Sequence, residues 1–377
     1  MKIKIGVLGG SFLQIEFVYT AIKLDYQVYI FDGNAQCMLA NKAVGNFVHL
    51  NFSDEKNLCN FCLENEIKYL FTPSNELGNV IISRLAPKLG FSYNSTEVVL
   101  NTIDKGLQRK KSAGLTHMHS PKSLIFNYSI VSVLNKLSFP MVVKPSNSSA
   151  SRGVKGVNNQ DELKDAIEEA KKHLKQDSHI IIEEYIGGTQ LSVETITVNG
   201  KHYIVGITKE IVSPSPFFIE RSHFMDPEVH SLFMPKIEKS IKELLDSNQI
   251  TWGPCHIELK VDGDKVVLIE IASRSGGLRD RLMLNAGYPD YNKLIINTYI
   301  QGSIDLEKLQ PPNKYGLVNI LTQIEDLYPF VNGKKDKTLE SFYFYEKGPE
   351  PNPQNLTDAY AYAFYTNSKS LENYSLK

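Results

Sequence analysis

Residues 256–274 read HIELKVDGDKVVLIEIASR, and this stretch decides the fold. Asp262-Gly263-Asp264 is a turn signal between two β-prone runs, so the stretch predicts an antiparallel hairpin. Glu258 and Glu270 each lie six residues from Asp264, and we therefore expect them to face each other on adjacent strands. Cross-strand Cβ atoms lie roughly 4.5–5.5 Å apart, so two ionised carboxylates repel each other unless a cation lies between them. Magnesium suits this position because it prefers oxygen ligands.

The two glutamates could instead be solvated and paired with Lys260 and Lys265, as charges on exposed strands commonly are. Glu270, however, lies within VVLIEIA, a continuous apolar run that is typical of a buried strand. An unpaired carboxylate is costly in such a strand, so burial favours the metal site.

A second motif, FPMVVKPSNSSASRGV, occupies residues 139–154. Lys144 ends an apolar strand there, and the loop that follows is rich in small polar residues whose N–H and hydroxyl groups could bind anionic oxygens. It is not a Walker loop, because G-x-x-x-x-G-K-[ST] is missing and the next predicted element is a strand. An ordinary polar hairpin loop is the alternative.

A third motif, IIIEEYIGG, occupies residues 180–188 and reads as a strand that runs into a Gly-Gly turn. Main-chain groups of Glu184 and Ile186 could bind an adenine edge there, although acidic strand ends are common. The loop SPSPFFIERSHF at 213–224 places two aromatic residues beside Arg221 and His223, which could grip an apolar side chain and a carboxylate together. The alternative is a surface loop whose phenylalanines pack into the domain beneath. If that loop is structural, the substrate pocket is expected among Arg279, Asp280 and Arg281.

The amino-terminal part predicts a small parallel α/β domain. IKIGVL (3–8) and QVYIFD (27–32) read as strands separated by a helical stretch, which is a βαβ opening. Gly9-Gly10 could approach a dinucleotide, but G-x-G-x-x-G is absent, and a glycine pair after a strand commonly serves tight packing. A single helix is expected from Ser95 to Ala113.

The composition is that of an ordinary globular protein. Its 377 residues, 42% hydrophobic and 22% charged, predict two or three domains, and no apolar run is long enough to cross a bilayer. Lys and Arg total 41 against 42 Asp and Glu, so nucleic acid and membrane surfaces are not expected as partners. Four cysteines without disulfide-framework spacing indicate a reducing compartment, and we expect a cytoplasmic protein. Cys59-x-x-Cys62 lies on a helical pattern, which favours packing over a metal or redox pair.

Lys105, Lys144 with its small-residue loop, EEYI at 183–186 and the paired glutamates follow one another in the order that the ATP-grasp superfamily uses. The chain resembles that superfamily over residues 1 to about 305, and it looks similar to the carbamoyl-phosphate-synthetase-like and L-amino-acid-ligase (carboxylate-amine ligase) branches. The resemblance implies α/β and α+β architecture, an ATP-grasp fold with an N-terminal Rossmann-like parallel sheet. The expected divisions are a pre-ATP-grasp domain (1–93), a linking helix (94–117), a small lid subdomain (118–205), a metal and substrate subdomain (206–304) and a C-terminal extension packing on it (305–377).

The resemblance also implies roles for individual residues. Those implied to bind ATP are Lys105, Lys144, Ser148, Ser149, Ser151, Gly153, Glu183, Glu184, Ile186 and Gln190, with the Ser146–Gly153 loop closing over the triphosphate. Those implied at the metal are Glu258 and Glu270, holding one or two Mg²⁺ ions, with Mn²⁺ as a substitute. Those implied at the substrate are Arg221, His223, Arg274, Gly276 and Gly277. Arg274 and Lys144 are the implied catalytic residues.

Two positions depart from the pattern of the superfamily. Gln190 stands where many relatives have a glutamate that binds ribose, but its amide oxygen can still accept a hydrogen bond. Ala272 stands where an asparagine usually assists the metal, and it has no such group. L-amino-acid ligases also lack that asparagine, so its loss indicates a branch rather than inactivity.

The implied enzyme is an ATP-dependent ligase that forms carbon–nitrogen bonds. A small carboxylate, such as an amino acid, would attack the γ-phosphate, and an amine would open the resulting acyl phosphate, releasing ADP and phosphate. A homodimer is the common form in these branches. One alternative is a carboxylase or carbamoyl-phosphate-type enzyme that uses bicarbonate, although no duplicated half is present. Another is a non-catalytic nucleotide-binding module, against which the retained Lys144, Glu258, Glu270 and Arg274 argue.

Overall fold

The computed structural model describes residues 2–127, 129–175, 178–305, 307, 309–324, 331–332, 334–345 and 348–367. The amino-terminal domain is a parallel four-stranded sheet in the order β3-β2-β1-β4, as the βαβ pattern predicts. Its elements are β1 (Lys4–Leu8), α1 (Phe12–Lys23), β2 (Gln27–Asp32), α2 (Met38–Asn41), β3 (Asn46–His49), α3 (Glu55–Glu64), β4 (Tyr69–Phe71) and α4 (Glu76–Leu89). Cys59 and Cys62 pack in the core of this domain, and all four cysteines are free.

The expected single helix from Ser95 to Ala113 is wrong, because two helices lie there: α5 (Thr96–Asn101) and α6 (Lys105–Ser112). The break occurs because the Asp104 side chain caps α6 by accepting a hydrogen bond from Leu107 N at 2.9 Å. Gln108 then ties α6 to the hairpin that carries Glu258 and Glu270. It donates to the carbonyl of Ile271 at 3.0 Å and accepts from the N–H of the same residue at 3.1 Å. Lys105 therefore stands at the start of a helix anchored to the strand that carries Glu270.

A small sheet follows, in the order β5-β8-β6-β7. Its elements are β5 (Ser123–Ile125), α7 (Ile130–Leu134), β6 (Met141–Pro145), β7 (Lys155–Val157), α8 (Gln160–Lys171) and β8 (Ile180–Glu184). Helix α8 buries Leu163, Ala166, Ile167 and Ala170 against the sheet, as its 3.6-residue periodicity predicts. The β6–β7 connection is the small-residue loop after Lys144.

An eight-stranded antiparallel sheet, in the order β13-β12-β9-β10-β11-β14-β16-β15, forms the remainder. Its strands are β9 (Thr189–Val198), β10 (Lys201–Val212), β11 (Glu220–Met225), β12 (Trp252–Asp262), β13 (Lys265–Ala272), β14 (Gly316–Leu321), β15 (Leu339–Phe344) and β16 (Ala361–Thr366). Its helices are α9 (Pro227–Ser247), α10 (Arg279–Asn285) and α11 (Tyr291–Gln301). Among the residues that the structure describes, no helix combines the length and apolarity that a membrane span requires.

This sheet differs from the expected division of the chain. The boundary at 205/206 falls inside β10, and the segment 213–224, expected to be a loop, overlaps β11 from Glu220 onward. Three strands of the C-terminal extension complete the sheet through the β11–β14 pairing, in which Ser222 faces Asn319. The C-terminal segment is therefore part of the sheet that carries the site.

Candidate active site

The hairpin of β12 and β13 places Glu258 directly opposite Glu270, as predicted, but the strands are not paired symmetrically about Asp264. Asp262 pairs with Lys265, and a β-bulge at Ile269 then brings Glu270 opposite Glu258. Each carboxylate lies beside a cationic or titratable group. Lys105 Nζ is 3.0 Å from Glu270 Oε2, and His256 Nε2 is 3.4 Å from Glu258 Oε1. Burial opposes ionisation of Glu270, but Lys105 holds the pKa of Glu270 below its ordinary value. Lys260, an alternative partner, instead donates to the carbonyl of Ile186 at 2.8 Å.

A cavity of about 130 Å³ lies between the small sheet and this hairpin; we call it the first cavity. The residues implied to bind ATP that line it are Lys105, Lys144, Ser148, Ser149, Ser151, Glu183, Glu184, Ile186 and Gln190. Gly153 is not among the lining residues. Its φ is +72°, and a Cβ there would lie 2.9 Å from His173, so this glycine lets the loop pack against the end of α8.

A buried charge cluster stands at the back of the first cavity. Glu183 accepts hydrogen bonds from Arg109 Nε at 2.6 Å and lies 2.6 Å from Lys144 Nζ. Burial lowers the pKa of Lys144 to about 8, while Arg109 and Lys144 overcome the burial of Glu183 and lower its pKa to about 2. Arg109 was not predicted, because nothing in KGLQRKKS distinguishes it from the neighbouring lysines.

The loop from Ser146 to Gly153 is held at both sides. Lys105 Nζ donates to the carbonyl of Ser148 at 2.7 Å, and Ser148 Oγ donates to the carbonyl of Arg152 at 2.9 Å. From the other side, the backbone N–H of Leu356 donates to the carbonyl of Ala150 at 3.1 Å. The C-terminal segment therefore contacts the loop that follows Lys144.

A larger space of about 400 Å³, the second cavity, adjoins the first. His223, Arg274 and Gly277 line it, together with residues that were not predicted. Four residues line both cavities, and they are Ser149, Ala150, Glu220 and Glu258. The candidate metal carboxylate Glu258 thus stands where the two spaces meet.

The structure does not bring Arg221 into either of these two cavities. In the β10–β11 pairing, Val212 faces Glu220 while Ile211 faces Ser222, so Arg221 is the extra residue of a β-bulge. Its guanidinium lies 3.3 Å from Gln323 Oε1. Phe218 also departs from expectation, since it stacks on Tyr185 with 5.7 Å between ring centroids and lines the first cavity.

The bulge brings Glu220 and His223 together with Arg279, the first of the alternative substrate residues. His223 Nε2 is 2.6 Å from Glu220 Oε2, and Arg279 Nη1 is 2.5 Å from His223 Nδ1. Arg279 also contacts Glu210 Oε1 at 2.5 Å and is 2% exposed. Burial, then Arg279, lowers the pKa of His223 well below its ordinary value, so this imidazole is neutral.

Glu210, Glu220 and His223 have ligand atoms within 4.8 Å of one another, a spacing that a metal ion could use. An arginine can only donate, so His223 Nδ1 must accept from Arg279, and the proton of the neutral ring must then lie on Nε2. A protonated nitrogen has no lone pair for a metal, and Nε2, although 2.6 Å from Glu220 Oε2, has no hydrogen-bond partner among the described residues. The hydrogen bonds of this cluster run from Arg279 to His223 and Glu210, and the orientation of the ring argues against a metal ion there.

His256 was also missed, although it lies two residues before Glu258. Its Nδ1 is 2.5 Å from Oε1 of Glu194, a fully buried carboxylate that also accepts from Tyr291 Oη at 2.9 Å. Burial opposes its charge, but Glu194 raises the pKa of His256 to about 9. Gly276 closes over this pair, donating to Glu194 Oε2 at 3.1 Å, and a Cβ at Gly276 would lie 2.5 Å from His256 Nδ1. Gly276 thus acts through its backbone and does not line the second cavity.

Comparison with known proteins identifies the central part of the chain. Residues 137–280 match the family model of the ATP-grasp domain. The D-alanine–D-alanine ligase of Flavobacterium psychrophilum is 40% identical over 82 residues, which cover 22% of this chain and 24% of that protein. The enzyme of the same name from Lactobacillus helveticus is 29% identical over 178 residues, 43% of this chain and 48% of that protein. The matches thus span about a quarter to a half of the length of these relatives.

Solved structures are similar over the whole chain. The L-amino acid ligase from Bacillus licheniformis superposes with a TM-score of 0.82 at 18% identity, covering 100% of this chain and 96% of that one. The N5-carboxyaminoimidazole synthetase from Staphylococcus aureus, complexed with ADP, has a TM-score of 0.74 at 16% identity and coverages of 99% and 96%. These likenesses establish the fold, including the parallel amino-terminal sheet.

Proposed function

We propose that this chain, whose residues 137–280 match the ATP-grasp domain, is an ATP- and magnesium-dependent carboxylate-amine ligase. The reaction would form an acyl phosphate from ATP and a carboxylate, pass the acyl group to an amine, and release ADP and phosphate. The observation that carries the proposal is the meeting of the two cavities at Glu220 and Glu258. The first cavity holds lysines and a small-residue loop suited to phosphates, and the second holds Arg274, which is suited to a carboxylate.

ATP would occupy the first cavity. Lys105 and Lys144 supply positive charge, and the Ser146–Gly153 loop supplies hydroxyl and N–H groups for phosphate oxygens. Adenine would lie near the end of β8, where Tyr185 and Phe218 form an aromatic wall. The amide nitrogen of Gln190 donates to Glu210 Oε2 at 2.9 Å, so ribose hydroxyl groups would meet its amide oxygen.

Glu258 and Glu270 would hold the magnesium ion or ions. Their donor set fits, because both are carboxylates with partly exposed side chains that line the first cavity, and Mg²⁺ prefers oxygen ligands. Lys105 already lies beside Glu270, so the pair stands where positive charge is favoured. When bound, the metal would offset negative charge on the phosphates.

The second cavity suits a substrate that carries both charges. Arg274, whose side chain is 14% exposed, offers a planar fork for a carboxylate or a transferring phosphoryl group. Glu220 offers the opposite charge for an ammonium group, and it lies at the junction with the first cavity. This combination favours an amino acid over bicarbonate as the carboxylate substrate. The four free, buried cysteines support a reducing compartment, and we place the enzyme in the cytoplasm.

ADP release tests the proposal. The full chain with ATP and Mg²⁺ is assayed alone, with bicarbonate, and with pairs of amino acids, and products are identified by mass spectrometry. We expect release that depends on amino acids, together with a product joined by loss of water. Release that depends on bicarbonate alone would favour the carboxylase alternative. Nucleotide binding without release under any condition would favour the non-catalytic module.

A further inference from the structure

A third cavity, of about 490 Å³, adjoins the second cavity. We call it the apolar compartment. The residues that it shares with the second cavity are Leu13, Ala150, Leu356 and Tyr362. The residues that line it alone are Tyr345, Thr357 and Ala359. None of these described lining residues is charged.

The wall of the compartment is fixed by aromatic packing. Phe12 of α1 stacks on Tyr362, with 5.1 Å between centroids and 16° between ring planes. Tyr345 meets Tyr362 edge to face at 5.9 Å and 76°. Tyr362 is 8% exposed, so the interlocked rings have little freedom to turn. The compartment is therefore preformed, a property that reduces the cost of ordering on binding.

The compartment lies beside the proposed reaction centre. Ala150 lines all three cavities, and its carbonyl accepts the Leu356 N–H at 3.1 Å, which joins the compartment to the phosphate-binding loop. A molecule held by Arg274 and Glu220 in the second cavity can thus extend an apolar group past Leu13 into the compartment. The space changes from charged to apolar along this line.

We propose that the apolar compartment receives the side chain of an amino-acid substrate, and that the substrate class is amino acids with bulky aromatic or branched aliphatic side chains. This inference rests on the proposed ligase function. Each methylene that a pocket removes from water raises kcat/KM by about 10- to 200-fold. The kcat/KM for leucine or phenylalanine should therefore exceed the kcat/KM for glycine by at least that factor. A lysine or aspartate side chain would find no charged partner among the described lining residues, and we expect amino acids with such side chains to be poor substrates.

The test compares glycine, alanine, leucine, phenylalanine and lysine as substrates of the full chain, by ADP release in the presence of a common second amino acid. Thr357→Phe fills the compartment from an exposed position outside the proposed catalytic groups. We expect kcat/KM for leucine and phenylalanine to be about tenfold lower, or lower still, in this variant than in the wild type. The kcat/KM for glycine should not change. The matched control is Asn352→Phe, an exposed residue of the same segment that lines neither the second cavity nor the compartment.

An unchanged KM for ATP shows that Thr357→Phe remains folded with its nucleotide site intact. Equal use of glycine and leucine by the wild type would overturn the inference and leave the ligase function standing. An equal loss of kcat/KM for glycine and for leucine in Thr357→Phe, with the KM for ATP unchanged, would also overturn the inference. ADP release that responds to bicarbonate and to no amino acid would overturn the ligase function, and the inference with it.

Discussion

Glu183→Gln should destabilise the protein more than any other single carboxylate-to-amide change on the small sheet. It removes the only negative charge from a cluster in which Arg109 and Lys144 each lie 2.6 Å from the Glu183 carboxylate. All three side chains are 6% exposed or less, so water cannot replace the lost charge. The glutamine keeps the shape of the residue, but its NH₂ group must face one of the two cations.

The magnitude follows from the burial of the cluster. Removing one partner of a buried ion pair costs roughly 3–5 kcal/mol. Lys144 can lose its proton, whereas Arg109 cannot, so part of the penalty is relieved and we expect about 3 kcal/mol. Without Glu183 the pKa of Lys144 should fall below its present value of about 8, which also weakens ATP binding at neutral pH.

Urea unfolding measures the first effect and calorimetric titration with ATP the second. Glu184→Gln is the matched control, because its side chain is 30% exposed on the same strand and lies 3.5 Å from the exposed Lys122. An exposed pair of this kind contributes about 1 kcal/mol or less. If Glu183→Gln unfolded at the same urea concentration as Glu184→Gln, the buried charges would not stabilise the cluster, and this prediction would be wrong.

Three further predictions concern the first cavity. Glu270→Gln should nearly abolish turnover, which corresponds to a rise of several kcal/mol in the activation barrier. Asp264→Asn, at the exposed turn of the same hairpin, should leave turnover unchanged. A wild-type rate in Glu270→Gln with Mg²⁺ present would contradict the metal assignment. Hydrogen-exchange protection of residues 146–153 should rise when ATP and Mg²⁺ bind, and equal protection in the free protein would count against a closing loop. Burial lowers the pKa of Lys144 to about 8, so ATP affinity should be level below pH 8 and fall by up to about tenfold per pH unit above it, because binding then requires uptake of a proton. Lys144→Arg should remove this pH dependence in calorimetric titrations, since arginine keeps its proton. A wild-type ATP affinity that stays level to pH 10 would contradict the prediction.

Local patterns predicted the hairpin that carries Glu258 and Glu270 and the parallel amino-terminal sheet, because turn chemistry and side-chain alternation act within a few residues. The Asp-Gly-Asp turn predicts the hairpin, but the pairing of Glu258 with Glu270 also depends on a β-bulge at Ile269, which no local pattern indicates. Arg109 and Arg279 could not be predicted in this way, since each meets its partners only in the folded chain. Arg109 reaches Glu183 across 74 residues, and Arg279 reaches Ser192 across 87.

The strand β11 illustrates a second reason. Its sequence follows a proline-rich run that favours a loop, and its extended form depends on its pairing with β10 on one side and β14 on the other. The bulge at Arg221 is likewise invisible in the sequence, and it decides that Glu220 and His223, rather than Arg221, face the second cavity. Tertiary pairing thus overrode the local pattern at the very strand that carries substrate candidates.

The order of strands in the large sheet has a consequence for synthesis of the chain. One edge of β11 pairs with β14, whose first residue, Gly316, follows the end of β11 by about ninety residues. At roughly 5–20 residues per second, the ribosome needs on the order of 5–18 s to supply that partner. During this interval β11 exposes an unpaired backbone edge, which is the kind of surface that joins another nascent chain. The slow arrival of the C-terminal strands makes translation rate a determinant of the yield of folded protein.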